Sequence, residues 1–237
     1  APDKNKKTLF VWPEGVFSGY SYKEILKYNN IISENFSAKH KIILGINKLD
    51  PNFGKYYNSM IVVDNNFKII QNYNKRKLVP FGEFLPFEKF LSKTGFKTIT
   101  NDFGSFTKGK FKKIIKIGDS FEELKFLPLI CYEIIYSGNL TNNSNFDFIL
   151  NISEDGWFGK SIGPKQHFAH SIFRAIENGK YVIRSSNNGM SAIINPLGQV
   201  EKKIDYGHSG YIDFENRRNI KKTFFSRFGN KIFIILI

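Results

Sequence analysis

The chain has 237 residues, which is enough for one large domain that buries most of its apolar surface without cross-links. A single cysteine, Cys131, excludes an internal disulfide. Lysine and arginine number 35 against 21 acidic residues, giving a net charge of +14, but they are scattered and form no DNA- or RNA-binding motif. The composition therefore favours a globular domain with a basic surface over a nucleic-acid-binding protein.

Short apolar runs rich in β-branched and aromatic residues recur along the chain and predict nine strands. Several of the runs are continuously apolar, as expected for strands that are covered on both faces. A turn sequence at residues 64–66 predicts that the third and fourth strands pair with each other. The strands are predicted at residues 8–12, 41–47, 59–64, 69–73, 114–117, 126–130, 146–152, 181–185 and 191–195.

The clearest helical pattern covers residues 165–178, and Gly179 follows it as a candidate C-cap. Apolar residues recur on one face of this helix, namely Phe168, Ile172, Ala175 and Ile176. Strands that alternate with helices predict an α/β layered fold with mixed parallel and antiparallel pairing.

Residues 81–111 break this alternation, because they carry eight phenylalanines in 31 residues without a period of 2 or 3.6. Long connections of this kind are usually functional, and disordered segments rarely hold so many aromatics. We expect loops that place apolar side chains over a site. Packing of the same rings into the domain's own core is the alternative.

Three residues whose side chains could take part in catalysis lie at the ends of predicted strands. Glu14 follows strand 8–12, Lys75 follows strand 69–73, and Cys131 follows strand 126–130. Ligand sites of open α/β sheets lie beyond the carboxyl ends of strands, so these side chains can converge. The sequence thus predicts a cleft that holds a carboxylate, an ammonium and a thiol.

This set of groups suits acyl transfer. The thiol of Cys131 needs a base or a positive neighbour to become a nucleophile, and Glu14 can take its proton. Lys75 and the backbone N–H of Tyr132 can stabilise the oxyanion that forms on the attacked carbonyl. Glu83, eight residues after Lys75, can hold the lysine in place and keep it charged.

Each of these residues also has a non-catalytic interpretation. Glu14 can be a solvated turn residue, Lys75 one cation of a basic run, and Cys131 a small hydrophobe of the core. A Cys-His dyad is the rival scheme, but no histidine follows a strand in the required way (His40, His167, His170, His208). Thiol labelling separates the interpretations, since a reactive cysteine of low pKa favours an enzyme.

No metal site is expected. His167 and His170 lie three residues apart on the predicted helix, but no cysteine or carboxylate group nearby completes a tetrahedral set. We interpret both as ordinary helix residues.

Four segments carry a resemblance to a known family: VWPEG, NKRKLVPFGEFLPF, LPLICYE, and the stretch from NISEDGWFGK to SAIINPLGQV. In this order they resemble the nitrilase-superfamily catalytic domain of bacterial apolipoprotein N-acyltransferases, over about residues 9–200. The order Glu, Lys, Cys implies the superfamily. LVPFGEF and residues 155–159 indicate the acyltransferase branch rather than the soluble amidases.

The resemblance implies a four-layer αββα sandwich with a catalytic triad and no cofactor or metal. It implies a ping-pong reaction in which the cysteine takes the sn-1 acyl chain of a phospholipid and passes it to the amine of a diacylglyceryl-cysteine. The implied site residues are catalytic Glu14, Lys75 and Cys131, supporting Glu83, Tyr132 and Glu133, and substrate-binding Trp157 and Phe84.

The same resemblance implies partners and a place in the cell. The partners are a phospholipid acyl donor, a diacylated prolipoprotein acceptor and the membrane; no nucleic acid is expected. The implied location is the bacterial inner membrane, with the catalytic domain facing the periplasm. Residues 1–230 are then a nitrilase-like domain with lid loops at 81–111, and the apolar residues 231–237 are a final edge strand or the start of a membrane helix.

Two other functions stay open from the sequence. The first is a soluble amidase or nitrilase that hydrolyses a small carbon-nitrogen bond through the same triad. The second, from another class, is a basic binding module in which Cys131 belongs to the core.

Overall fold

A computed structural model describes residues 2–87, 105–110, 114–118, 123–138, 140, 145–215 and 222–231. Within these residues the chain forms two β-sheets that pack face to face, with helices on the two outer faces.

The first sheet has four strands in the order β1-β2-β3-β4. β1 pairs parallel with β2, and the other neighbours pair antiparallel. Helices α1 and α2 lie between β1 and β2 in the chain and are joined by a short 3-10 turn. The elements are β1 (Thr8–Val11), α1 (Tyr22–Ile25), α2 (Asn29–Asn35), β2 (His40–Asp50), β3 (Lys55–Val63) and β4 (Ile69–Asn74).

The second sheet has six strands in the order β10-β9-β8-β7-β6-β5. β6, β7 and β8 run parallel at its centre, and the outer neighbours pair antiparallel. The elements are β5 (Ile115–Ile117), β6 (Leu124–Ile130), β7 (Phe148–Glu154), α3 (Gly163–Asn178), β8 (Tyr181–Asn187), β9 (Ser191–Ile194), β10 (Val200–Ile204) and α4 (Phe224–Phe228).

The apolar side chains of central strands divide between two cores, which explains why these strands read as continuous apolar runs. In β2, Ile43 packs into the core between the sheets, whereas Ile42 and Leu44 pack outward with the side chains of α1 and α2. In β7, Leu150 packs between the sheets, and Ile149 packs outward against α3. The layers are therefore α, β, β and α, which confirms the predicted sandwich.

All nine predicted strands are present, and β7 extends two residues further than expected, to Glu154. The hairpin predicted at residues 64–66 joins β3 to β4, and the Asp64 carboxylate accepts the N–H groups of Asn66 and Lys68. β10 was not predicted. Its first four residues are exposed, so no apolar alternation marks it.

The predicted long helix is α3, which ends at Gly179 in the left-handed conformation (φ 61°) that favours glycine. Phe168 and Ala175 are buried as expected. Ile176 is 46% exposed, so its assignment to the buried face is wrong.

Two parts of the phenylalanine-rich segment, residues 81–87 and 105–110, lie within the described chain. Phe81 and Phe87 are exposed there, whereas Phe106 is buried, so packing into the core holds for Phe106 and the cover over a site stays a prediction. The remainder of the proposed lid, and residues 232–237, lie outside the described residues. In the part of the chain that is described, every helix is too short or too polar to cross a bilayer.

Candidate active site

The three residues that follow strands lie in one buried cluster between the two sheets. Glu14 follows β1, Lys75 follows β4 directly, and Cys131 follows β6 directly. The Lys75 Nζ lies 3.9 Å from Glu14 Oε1. The backbone of Glu154 joins the other two, because its N–H donates to Glu14 Oε2 at 3.0 Å and its carbonyl oxygen lies 3.9 Å from the Cys131 Sγ.

The Glu14 carboxylate is held by one hydrogen bond on each oxygen. Asn58 Nδ2 donates to Oε1 at 2.7 Å, and the Glu154 N–H donates to Oε2. Burial raises the pKa of Glu14 above its usual value, although Lys75 and the Asn58 hydrogen bond oppose the shift. A carboxylate with a raised pKa is a better proton acceptor, which suits a general base.

Gly45 on β2 allows Glu14 to lie this close to the sheet. A Cβ atom at Gly45 would lie 2.9 Å from the Glu14 Cα, a distance that real Cβ contacts essentially never show. A side chain at position 45 would therefore displace the carboxylate.

The Lys75 ammonium is almost fully buried and forms an ion pair with Glu83. Its Nζ lies 2.9 Å from both carboxylate oxygens of Glu83. Burial alone would lower the pKa of Lys75, but the negative charges of Glu14 and Glu83 outweigh it and raise the pKa well above the usual value. Lys75 is therefore a fixed positive charge.

Asn58, which sequence reasoning missed, and residues 105–110 of the predicted loop segment also hold Lys75 and Glu83. The Asn58 amide nitrogen also donates to Glu83 Oε1 at 2.7 Å, so one side chain links the two carboxylates. The N–H of Phe106 donates to the Glu83 carbonyl, and the N–H of Gly109 donates to the Lys75 carbonyl. Backbone hydrogen bonds from residues 105–110 therefore hold both Lys75 and Glu83 in position.

Cys131 occupies a tight turn between β6 and a 3-10 helix (Cys131–Ile135). Its φ of 45° is in the left-handed region, where a residue other than glycine is held only by strong surrounding contacts. Burial and the nearby Glu14 raise the pKa of the thiol to about 12, although Lys75 opposes the shift. The resting sulfur is therefore a protonated thiol. A cysteine of low pKa was the expected sign of an enzyme, and Cys131 does not show it.

Glu133 anchors this turn and joins it to the end of β4. Its Oε2 accepts the N–H of Ile130, and its Oε1 accepts the Tyr73 hydroxyl and the N–H groups of Arg76 and Lys77, at 2.8 to 3.1 Å. Burial raises the pKa of Glu133, and these donors act in the opposite direction.

His167 is a second anchor of the turn, so its interpretation as an ordinary helix residue is wrong. Its Nε2 donates to the Cys131 carbonyl oxygen at 3.1 Å, and its Nδ1 lies 2.9 Å from Asp155 Oδ1. Arg184 Nη2 in turn donates to both oxygens of Asp155 at 2.9 and 2.7 Å. The ring contacts the cysteine's carbonyl and not its sulfur, so it holds the backbone and does not form a Cys-His dyad.

The remaining site candidates lie at the edge of the cluster. Tyr132 is the second residue of the 3-10 helix, in the first turn where N–H groups lack intrahelical partners. Trp157 lies on a 3-10 turn after β7 and is 63% exposed, so it stands outside the buried cluster. Phe84 is half-buried and lines a cavity beside the site. In the described ranges, no group of three His, Cys, Asp or Glu side chains could hold a metal ion.

Solved structures of the nitrilase superfamily share this fold. Saccharomyces cerevisiae Nit3, from branch 10 of the superfamily, matches with a TM-score of 0.57 at 22% identity, over 85% of this chain and 74% of Nit3. An amidase of Nesterenkonia AN1 matches with a TM-score of 0.53 at 15% identity, over 84% of this chain and 74% of the amidase. Fold and site therefore define an α/β sandwich of the nitrilase type.

The family follows from the sequence comparison. The carbon-nitrogen hydrolase family model matches residues 2–215, so the chain belongs to this family. An apolipoprotein N-acyltransferase of Bradyrhizobium diazoefficiens is 32% identical over 237 residues, covering 97% of this chain and 43% of that protein. The one of Rickettsia typhi is 40% identical over 194 residues, covering 76% of this chain and 37% of that protein. The chain spans less than half the length of these relatives.

Proposed function

We propose that the chain is the catalytic domain of an apolipoprotein N-acyltransferase. It moves a fatty acyl chain from a phospholipid, through a thioester on Cys131, to the N-terminal amine of diacylglyceryl-cysteine in an apolipoprotein. The observation that carries the proposal is the buried cluster in which Glu14, Lys75 and Cys131 meet. The bacterial relatives that bear this enzyme name support the choice of acyl transfer over hydrolysis.

In the first half-reaction the Cys131 Sγ attacks the ester carbonyl of the donor. Because the resting thiol is protonated, Glu14 takes its proton as the carbon–sulfur bond forms. The carbonyl oxygen becomes an oxyanion, which the fixed Lys75 ammonium and the Tyr132 N–H stabilise. When the tetrahedral adduct collapses, the lysophospholipid leaves as an alkoxide and takes the proton back from Glu14.

In the second half-reaction the acceptor's amine attacks the thioester. Glu14 takes a proton from the amine nitrogen, and the adduct collapses to an amide and the Cys131 thiolate. The thiolate then recovers the proton from Glu14. The carbonyl oxygen becomes an oxyanion in this step as in the first, so the Lys75 ammonium and the Tyr132 N–H stabilise both adducts.

The substrates of this reaction require a membrane. We propose the bacterial inner membrane, with residues 1–230 as a periplasmic catalytic domain and residues 231–237 as the start of a membrane helix. Phe84, Trp157 and the loops of residues 81–111 are proposed to meet the acyl chain, an assignment that the exposed rings of Phe81 and Phe87 support.

The experiment compares two fates of the thioester. The complete gene product is loaded with an acyl group, and then either buffer or a diacylglyceryl-cysteine peptide is added. A transferase keeps the acyl group in buffer, because its site excludes water, and releases it as an N-acyl peptide. Rapid release as free fatty acid with or without the peptide would identify a carbon-nitrogen hydrolase instead.

A further inference from the structure

A cavity of about 370 Å³ lies beside the candidate site. Three cations line it: Arg76, Lys77 and Lys108. Arg76 and Lys77 directly follow Lys75, where the chain bends beyond the end of β4. Lys75 points into the cluster with Glu83, and Arg76 lines the cavity.

The described part of the chain supplies no carboxylate partner to the cations of this cavity. Among the residues that the structure describes, no ion pair involves any of the three. The Nε of Arg76 is buried and has no hydrogen-bond partner. A buried donor without an acceptor is costly, so the guanidinium is suited to an acceptor that arrives from outside. The Lys77 ammonium lies over the Tyr136 ring at 4.9 Å, which holds this charge at the rim.

The other described walls of the cavity are apolar apart from Ser105. Leu85 and Phe106 are buried, and Leu78 and Phe84 are half-buried. An inorganic anion would gain nothing from such walls, whereas an organic phosphate can place its carbon atoms against them and its oxygens against the cations. The volume is within the range of small-molecule sites.

The backbone fixes this cavity relative to the reacting groups. The N–H groups of Arg76 and Lys77 donate to Glu133, which also holds the turn of Cys131. Arg76 and Lys75 are neighbours in the chain, with Cα atoms about 3.8 Å apart, so the backbone at this wall of the cavity has a fixed position relative to Lys75. A donor held by its phosphate would present a carbonyl a few bonds away.

We propose that this cavity binds the phosphate group of the acyl donor, with Arg76 as its main ligand and Lys77 and Lys108 at the rim. The proposal rests on the proposed function and adds to it that the donor is selected by its phosphate diester. A phosphate-free ester of the same acyl chain then reacts with Cys131 without this selection.

The test measures acylation of Cys131 in the complete gene product, in neutral detergent micelles, with two donors. One is a zwitterionic phospholipid, and the other is a p-nitrophenyl ester of the same acyl chain. Arg76→Gln should raise the ratio of half-saturating concentrations, phospholipid over ester, by roughly tenfold, as expected for one lost charged hydrogen bond. Lys23→Gln removes an equal charge from exposed helix α1 and should leave the ratio unchanged.

The outcomes separate the two proposals. A wild-type protein that neither donor acylates, or that only the ester acylates, overturns the proposed function and this inference together. Normal acylation by both donors with an unchanged ratio in Arg76→Gln overturns the inference alone.

A competition arm decides the source of the phosphate. Glycerol 3-phosphate should inhibit acylation by phospholipid much more strongly in wild type than in Arg76→Gln, and inorganic phosphate should inhibit weakly. Equal inhibition by both compounds would show a site for free phosphate and contradict a donor subsite.

Discussion

Glu133 accepts a hydrogen bond from the backbone N–H of Arg76 at 2.8 Å, and this contact joins the cysteine's turn to the chain that carries Lys75. The same carboxylate accepts the N–H of Ile130, the residue before Cys131. One buried side chain thus sets the position of the nucleophile relative to the ammonium. The distance between Cys131 and Lys75 is therefore set by buried core residues and not by a surface loop.

Glu133→Gln tests this link. The amide can keep one oxygen acceptor, but its NH2 group must then face an N–H donor, and we expect the free energy of unfolding to fall by roughly 1–3 kcal/mol. Acylation of Cys131 should slow as well, because the turn shifts. Chemical denaturation and acylation rates check both effects. The exposed Glu34→Gln should change neither, and an unaffected Glu133→Gln would contradict the anchoring role.

His167→Ala tests the second anchor. Removing the ring takes its donor from the Cys131 carbonyl, whereas Asp155 keeps Arg184, so we expect slower acylation with little change in the half-saturating donor concentration. The matched control is His170→Ala, one turn along α3 and less buried. A change in donor affinity alone, or equal effects of the two variants, would remove His167 from the positioning of the nucleophile.

The thiol should titrate far above neutrality. Because the pKa of Cys131 is raised to about 12, alkylation by iodoacetamide should be slow at pH 7 and accelerate roughly tenfold per pH unit up to the limit of folding. Lys75 lowers and Glu14 raises this pKa, so Lys75→Met should slow alkylation and Glu14→Gln should speed it at each pH. Intact mass against time gives the rates. Fast alkylation at pH 7 would contradict a protonated resting thiol.

Asp155 should contribute to acid stability. Burial alone would raise its pKa, but His167 and Arg184 outweigh burial and lower the pKa from 3.8 to about 2. A carboxyl with a lowered pKa stabilises the fold above its unfolded pKa, and this contribution of about 2 kcal/mol is lost as the pH falls from 3.8 towards 2. Asp155→Asn should flatten the pH dependence of the unfolding free energy in that window. Asp205→Asn, from an exposed pair with Lys203, should not.

Gly45→Ala tests the close approach of Glu14 to β2. The added methyl group would overlap the Glu14 backbone, so acylation of Cys131 should fall at least tenfold while the donor's half-saturating concentration changes less. At Gly210 a Cβ meets only ordinary contacts, and Gly210→Ala is the control. Equal activity of the two variants would show that Glu14 tolerates displacement.

The sequence marks the reacting groups better than the groups that hold them. Glu14, Lys75 and Cys131 could be found because each follows a predicted strand, although β1 and β4 belong to one sheet and β6 to the other. Asn58 gave no such signal, because it precedes the predicted strand 59–64 and only the longer β3, which begins at Lys55, places it in the buried part of the sheet. His167 reaches a carbonyl 36 residues away in the chain, a contact that only tertiary packing creates.

The central claim is that Cys131 carries the acyl group during transfer. The direct measurement is the intact mass of the complete gene product after mixing with phospholipid and no acceptor, followed by peptide mapping. We expect one acyl chain as a thioester on Cys131, none in Cys131→Ala, and a barrier higher by roughly 3 to 4 kcal/mol in Lys75→Met. An acyl group on another residue, or a Cys131→Ala variant that still transfers acyl chains, would contradict the account.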